Sequence, residues 1–69
     1  MENGIFLKEM GNRIRTIRNA KKITLRQLGE MCHIDYGAIS RIELGEKSSY
    51  ILTLKTIADN LGVDVKDFL

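Results

Sequence analysis

Cysteine is nearly absent from this 69-residue chain, which has Cys32 alone. One thiol cannot form a disulfide within the chain, and it cannot supply the several thiolates of a cysteine-based zinc site. We predict no metal site and no cofactor for this chain. So low a cysteine content is typical of a reducing cytoplasm, and we expect a cytoplasmic location.

Long apolar runs are missing as well. No segment approaches the ~20 apolar residues that span a bilayer. The N-terminus, MENGIFLKEMGN, lacks the basic start and long apolar stretch of a secretory signal. There is no internal repeat, low-complexity tract or linker. We predict a soluble protein with no membrane partner, folded as one domain over residues 1–69.

Catalytic motifs are also lacking. The sequence has no glycine-rich phosphate loop and no carboxylate cluster. Its one histidine, His33, adjoins Cys32, and neighbouring positions at a helix end do not direct both side chains to one point, as a nucleophile and its base require. We predict that the chain is not an enzyme and has no catalytic residues.

The charge of the chain is unevenly distributed. The formal net charge is +2, but residues 8–47 carry nine Lys or Arg against five Asp or Glu, which leaves +4 there and −2 elsewhere. A basic half is expected where one surface meets a polyanion. The alternative is ordinary solubilising charge.

Helical periodicity accounts for most of the first half of the chain. Apolar residues at three- and four-residue steps predict a first helix from near Ile5 to Asn19 or Ala20, weakened by Gly11. Thr24 and Gln27 have the spacing of a capping box that opens a second helix. Its apolar face is formed by Leu25, Leu28, Gly29 and Cys32. We expect Gly29 to allow close approach of the next helix, which a side chain larger than alanine would block, and Cys32 to be buried.

The third helix is short and bounded at both ends. Asp35 is a suitable N-cap for the run Tyr36 to Leu44, and Gly45 ends it. Ile34 and Ile39 have the spacing of a hydrophobic staple. The outward face holds Tyr36, Gly37, Ser40, Arg41 and Leu44. This face is either a contact surface or ordinary solvated surface.

Two further helices are predicted after a polar loop. Ser49 or Tyr50 opens the fourth, and Gly62 ends it. Its buried stripe would be Ile51, Leu54, Ile57, Ala58 and Leu61. Asp64 caps a short terminal helix with apolar Val65, Phe68 and Leu69. Five helices and no strand signal predict an all-α domain.

Three segments together resemble a known family: RIRTIRNAKKITLRQLGEM, ISRIELGEK and TLKTIADNLGVDVKDFL. They resemble the lambda-repressor-like (Xre/Cro-type) helix-turn-helix DNA-binding domains, including the small controller proteins of restriction-modification systems. The resemblance covers about residues 11–69 without a gap. It implies a five-helix fold in which helix 24–32 lies across the DNA backbone and helix 36–44 enters the major groove.

The resemblance also assigns roles to residues. Base contacts would come from Tyr36, Gly37, Ser40 and Arg41, with Arg41 the natural partner of guanine. Phosphate contacts would come from Thr24, Arg26, Lys47 and Ser48. Arg18 and Glu43 stand where the family has a structural ion pair, and we expect this pair to anchor the third helix to the first.

Three positions depart from the family pattern. Leu25 replaces a phosphate-binding glutamine, so that contact is not carried over. His33 stands where the turn commonly has a left-handed glycine. Gly37 stands where the family usually has a base-reading side chain. Its small size either allows a closer fit, with the helix deeper in the groove or a thymine methyl nearby, or means weaker discrimination at one base pair.

The leading functional hypothesis is a sequence-specific regulator that binds double-stranded DNA as a homodimer, occupying an operator and so blocking or recruiting RNA polymerase. Candidate dimer contacts are Leu52, Val65, Phe68 and Leu69, with core packing favoured for Phe68. The alternative is a protein-interaction module, such as an antitoxin that binds a toxin partner.

Overall fold

The computed structural model describes residues 2–69, with side chains from residue 4 onward. Within this part of the chain there are four α-helices and no strand: α1 (Glu2–Ala20), α2 (Leu25–Cys32), α3 (Tyr36–Glu43) and α4 (Ile51–Leu61). The all-α prediction is confirmed, and the predicted count of five helices is corrected. The terminal segment Val65–Phe68 is a single 3₁₀ turn. None of the described helices is long and apolar enough to cross a membrane.

The helix ends follow the predicted capping chemistry at two of three polar N-caps. The Thr24 hydroxyl accepts a hydrogen bond from Gln27 N–H at 3.0 Å, and the Gln27 side chain accepts from Thr24 N–H at 2.8 Å. The Asp64 carboxylate accepts from Lys66 N–H at 3.0 Å at the start of the 3₁₀ turn. Asp35 is also an N-cap by position, but its side chain makes no capping hydrogen bond, so its predicted capping role is wrong.

One core gathers the apolar stripes of all five elements. It consists of Met10, Ile14, Leu28, Cys32, Ile39, Ile42, Leu54, Ile57, Ala58, Leu61 and Phe68. Ile51 was predicted to belong to it but is 57% exposed, because the first residue of α4 points away from the packed side. Phe68 has no exposed surface. It is therefore a core residue, and its inclusion among the dimer contacts is corrected.

Two glycines set how closely α1 approaches α3. A Cβ on Gly11 would collide with the backbone carbonyl oxygens of Ile42 and Glu43, so the helices cross at backbone contact. Gly45, which ends α3 with φ 75°, lies against Lys8 of α1; a Cβ there would be 2.7 Å from the Lys8 Cα. The residue that weakens α1 by propensity thus permits its packing against α3.

The turn between α2 and α3 is tight and strained at one residue. His33 adopts the left-handed conformation, φ 57° and ψ 41°, at the end of α2. Ile34 N–H then donates to the Gly29 carbonyl at 3.0 Å. A Cβ on Gly29 would lie 2.8 Å from the Ile34 carbonyl oxygen and 3.1 Å from the Tyr36 Cβ. Close approach at Gly29 is confirmed, and the packing is tighter than predicted because alanine is already too large.

Two backbone hydrogen bonds end α3 at its C-terminus. Glu46 N–H donates to the Arg41 carbonyl at 3.0 Å, and Gly45 N–H donates to the Ile42 carbonyl at 3.1 Å. This is the Schellman arrangement, which requires a left-handed residue where Gly45 stands. The predicted stop is confirmed, and α3 ends after about two turns.

Candidate nucleic-acid interface

The outward face of α3 is accessible and chemically mixed. Tyr36 is 47% exposed and Leu44 is 52% exposed, while Arg41 is exposed and Ser40 and Gly37 are half-buried. The inward face buries Ile39 and Ile42 completely or nearly so. The face predicted to read bases is therefore displayed on one side of a helix whose opposite side is fixed in the core.

A buried ion pair fixes the end of this helix. Arg18 Nε donates to Glu43 Oε2 at 2.6 Å, and Arg18 Nη2 donates to Glu43 Oε1 at 2.9 Å. The remaining nitrogen, Nη1, donates to the Ile23 carbonyl at 2.8 Å. The bidentate geometry fits the planar guanidinium, and the third bond ties the turn after α1 to the same point. The predicted structural pair is confirmed by these contacts.

Arg26 and Tyr36 form a pair across the two helices of the motif. The Arg26 guanidinium carbon lies 5.5 Å from the centre of the Tyr36 ring, within cation–π range. Both side chains are exposed. A residue predicted to hold a phosphate thus packs on a residue predicted to read a base. Sequence reasoning missed this contact because ten residues separate the two positions.

The first turn of α2 has backbone donors that the helix itself does not use. The capping box occupies the N–H groups of Thr24 and Gln27, while the N–H groups of Leu25 and Arg26 have no acceptor within the helix. The helix dipole adds positive potential at this end. The chemistry of this turn suits a phosphate oxygen even though Leu25 has no side-chain donor.

The other predicted phosphate contacts lie after α3. Lys47 and Ser48 are exposed in the loop that joins α3 to α4. They line an open groove together with Ile34, Ala38 and Tyr50. This places a cation and a hydroxyl beside α3, on a segment distinct from the first turn of α2.

Arg15 is a cation near α3 that no role was predicted for. It lines a shallow groove with Leu25, Ser40 and Leu44, so it lies beside the outward face of α3. Its side chain is exposed, unlike that of Arg18 one turn later. The sequence offered one indication of this position, because Arg15 lies three residues before Arg18 and therefore on a neighbouring part of the same helix surface.

Cys32 and His33 lie at the end of α2 in different environments. Cys32 is buried in the core, as predicted, and burial raises the pKa of its thiol above the usual value, although a hydrogen bond with Asn60 opposes the shift. A raised pKa keeps the thiol protonated and poorly nucleophilic. His33 is exposed at the turn. Among the described residues, no three His, Cys, Asp or Glu side chains are grouped as a metal site requires.

The predicted dimer residues differ in accessibility. Leu52 is 73% exposed and Leu69 is exposed, whereas Val65 is half-buried against the core. Tyr50 and Ile51, next to Leu52, are exposed as well. The start of α4 therefore carries three consecutive large side chains in solvent, two of which were not predicted.

Residues 14–68 match the helix-turn-helix family model HTH_3. The chain therefore belongs to this Xre-like family of helix-turn-helix DNA-binding regulators, and the resemblance found in the sequence is confirmed. Comparison with curated protein sequences finds no significant match.

Several solved structures share the fold. The restriction-modification controller protein C.AhdI from Aeromonas hydrophila superposes with a TM-score of 0.88 at 21% identity, over 91% of this chain and 96% of that one. The clp gene regulator ClgR from Corynebacterium glutamicum gives 0.87 at 30% identity, over 91% of this chain and 67% of that one. The DNA-binding domain of BldD gives 0.86 at 24% identity, over 96% of each.

Proposed function

We propose that this protein is a sequence-specific regulator that binds double-stranded DNA with α3 in the major groove. The observation that carries the proposal is the outward face of α3, which displays Tyr36, Ser40 and Arg41 while the Arg18–Glu43 pair holds the helix from behind. An α-helix fits the width of the major groove, and a fixed helix presents its side chains to base edges without losing further conformational freedom.

Base reading is assigned to the N-terminal and central part of α3. Arg41 has the donors for guanine O6 and N7, a bidentate contact worth ~1–3 kcal/mol of discrimination. The Tyr36 hydroxyl and the Ser40 hydroxyl can each donate or accept. Gly37 lies on the same face but contributes no side chain to it. These residues share one accessible face.

Phosphate binding is assigned to two segments on either side of that face. The first turn of α2 offers Thr24, its free backbone N–H groups and Arg26, and the loop after α3 offers Lys47 and Ser48. Arg15 is added to this set because it borders the same face. Contacts to both strands across one groove fix the register of a recognition helix but carry no sequence information.

The protein is further proposed to bind a palindromic operator as a homodimer. A single domain of 69 residues makes few contacts, and two-fold symmetry doubles them on half-sites one helical turn apart, about 34 Å. Exposed Leu52 and Leu69 and half-buried Val65 are the proposed contacts, and Ile51 extends the apolar surface at the start of α4. Contact with RNA polymerase would then follow from where the operator lies.

The experiment is a selection of bound sequences from a random duplex pool. The proposal predicts an enriched motif with two inverted half-sites about one helical turn apart. Enrichment of a single half-site would contradict the proposed dimer but support the proposed DNA binding through α3. No enrichment, with no duplex bound at low salt, would contradict the proposal and favour a protein partner for the same face.

A further inference from the structure

One carboxylate beside α3 has no role in the fold. The Asp35 side chain makes no capping hydrogen bond, and it takes part in none of the ion pairs among the described residues. The other two polar N-cap residues, Thr24 and Asp64, both accept hydrogen bonds from the turns that they open. Asp35 therefore resembles a cap in the sequence but leaves its two oxygens available in the structure.

The position of this carboxylate is unusual. A Cβ placed on Gly37 would lie 2.9 Å from Asp35 Oδ2, so the carboxylate occupies the space in which a side chain at position 37 would begin. Gly37 lies on the outward face of α3, one turn before Ser40 and Arg41. Asp35 itself is exposed. Its oxygens are thus presented at the very point where the reading face lacks a side chain.

The chemistry of a carboxylate limits what it can recognise in DNA. An ionised carboxylate only accepts hydrogen bonds. In the major groove the donors are the exocyclic amino groups, N4 of cytosine and N6 of adenine, whereas guanine and thymine present acceptors that would repel it. We infer that Asp35 is a specificity-determining residue that replaces the absent side chain of Gly37 and accepts a hydrogen bond from a cytosine or adenine amino group. This inference rests on the proposed DNA-reading function of α3.

The negative charge has a second consequence. Phosphates line both edges of the groove, so a carboxylate there is repelled by any duplex. A hydrogen bond from a base amino group offsets this repulsion only on sequences that place one there. Removing the Asp35 carboxylate should therefore raise affinity for random DNA and lower preference for the selected sequence. A phosphate-contacting residue behaves in the opposite way, because its removal weakens binding to every sequence.

The test compares wild type with Asp35→Ala and Asp35→Ser on the selected duplex and its single base-pair substitutions. Wild type should favour cytosine or adenine over guanine or thymine at one pair by about 5-fold or more, and both variants should lose this preference. Which of the two bases is preferred identifies the amino group. Since serine is itself a good N-cap residue, Asp35→Ser carries the test if Asp35→Ala proves unstable.

Glu30→Gln is the matched control. Glu30 is an exposed carboxylate of α2, and its removal changes the net charge equally. It should alter affinity for all duplexes alike and leave every base preference intact. Asp35 variants with the wild-type preference at every pair would overturn the inference and leave the proposed function standing. A wild-type chain that bound no duplex would overturn both.

Discussion

Among single residues, Arg41 and Lys47 distinguish base recognition from phosphate binding. Both are exposed cations near α3, but Arg41 lies on its outward face and Lys47 lies in the loop that follows. Arg41→Ala should relax preference at one base pair by ~1–3 kcal/mol. Lys47→Ala should weaken binding to all sequences alike and should reduce the slope of log K against log salt concentration by about one unit. Binding isotherms on selected and scrambled duplexes measure both effects. Uniform loss with unchanged preference in Arg41→Ala would contradict its assigned role.

Arg18 differs from these two because its charge is used inside the protein. Arg18→Ala would leave Glu43 buried without its partner, which costs about 3–5 kcal/mol of unfolding free energy. Urea unfolding measures this loss. Arg15→Ala, which removes an exposed arginine from the same helix, should change stability little. An Arg18→Ala variant of normal stability that no longer bound DNA would place Arg18 on the DNA instead.

The Arg26–Tyr36 pair makes a prediction about how one residue positions another. Tyr36→Phe keeps the ring on which the guanidinium packs, whereas Tyr36→Ala removes it. If Arg26 is held toward a phosphate by that ring, Tyr36→Ala should reduce the salt slope by about one unit, and Tyr36→Phe should leave the slope unchanged. Equal slopes in all three proteins would mean that the ring does not position Arg26.

At the scale of elements, the turn between α2 and α3 is governed by steric fit. Gly29→Ala gains up to about 1 kcal/mol of helix propensity. Its Cβ would nevertheless meet the Ile34 carbonyl oxygen at 2.8 Å, so we expect net destabilisation. Gly4→Ala is the control, since nothing lies within 4 Å of a Cβ there and the propensity gain should appear alone. Thermal unfolding distinguishes the two, and a stabilised Gly29→Ala would show that the helices can separate at no cost.

His33 provides an independent measure of strain in the same turn. Its φ of 57° lies in the left-handed region, which costs a residue with a Cβ about 1 kcal/mol. His33→Gly should therefore raise the unfolding free energy by up to that amount without changing base preference. A destabilised His33→Gly would indicate that the histidine side chain contributes contacts that outweigh the backbone strain.

The elements that sequence patterns predicted well are those fixed by local chemistry. The capping box at Thr24, the stop at Gly45 and the apolar stripe of α2 depend on residues within one or two turns of each other. Gly11 was interpreted only as a weak point of α1, because its contact with α3 joins residues 31 positions apart. Ile51 fitted the periodicity of α4 but is 57% exposed at its first position, whereas Leu54 later in the same turn is buried.

The candidate site was predictable to a similar degree. The outward face of α3 followed from helical periodicity, and the Arg18–Glu43 pair followed from the family pattern. The Arg26–Tyr36 contact and the free carboxylate of Asp35 did not follow, because both depend on the angle between α2 and α3. Side-chain direction across a turn is a tertiary property that sequence spacing leaves open.

For the whole molecule, the exposed start of α4 predicts self-association. Leu52→Gln should weaken the dimer and lower affinity for a duplex with two half-sites, while the fold stays intact because Leu52 is 73% exposed. Sedimentation equilibrium and binding to one and two half-sites measure the effect. Met31→Gln, at an exposed apolar residue of α2, is the control and should leave the dimer unchanged. A Leu52→Gln protein that dimerised normally would exclude this residue from the interface.

The central claim is that the protein reads duplex DNA with α3 while phosphate contacts hold it in register. A salt titration of binding to the selected duplex and to a scrambled duplex of equal length tests it most directly. Each phosphate neutralised should contribute about −0.9 to the slope of log K against log salt concentration. Binding to both duplexes should therefore weaken steeply as salt rises. The selected duplex should stay tighter at every salt concentration. Salt-independent binding, or equal affinity for the two duplexes, would contradict the claim.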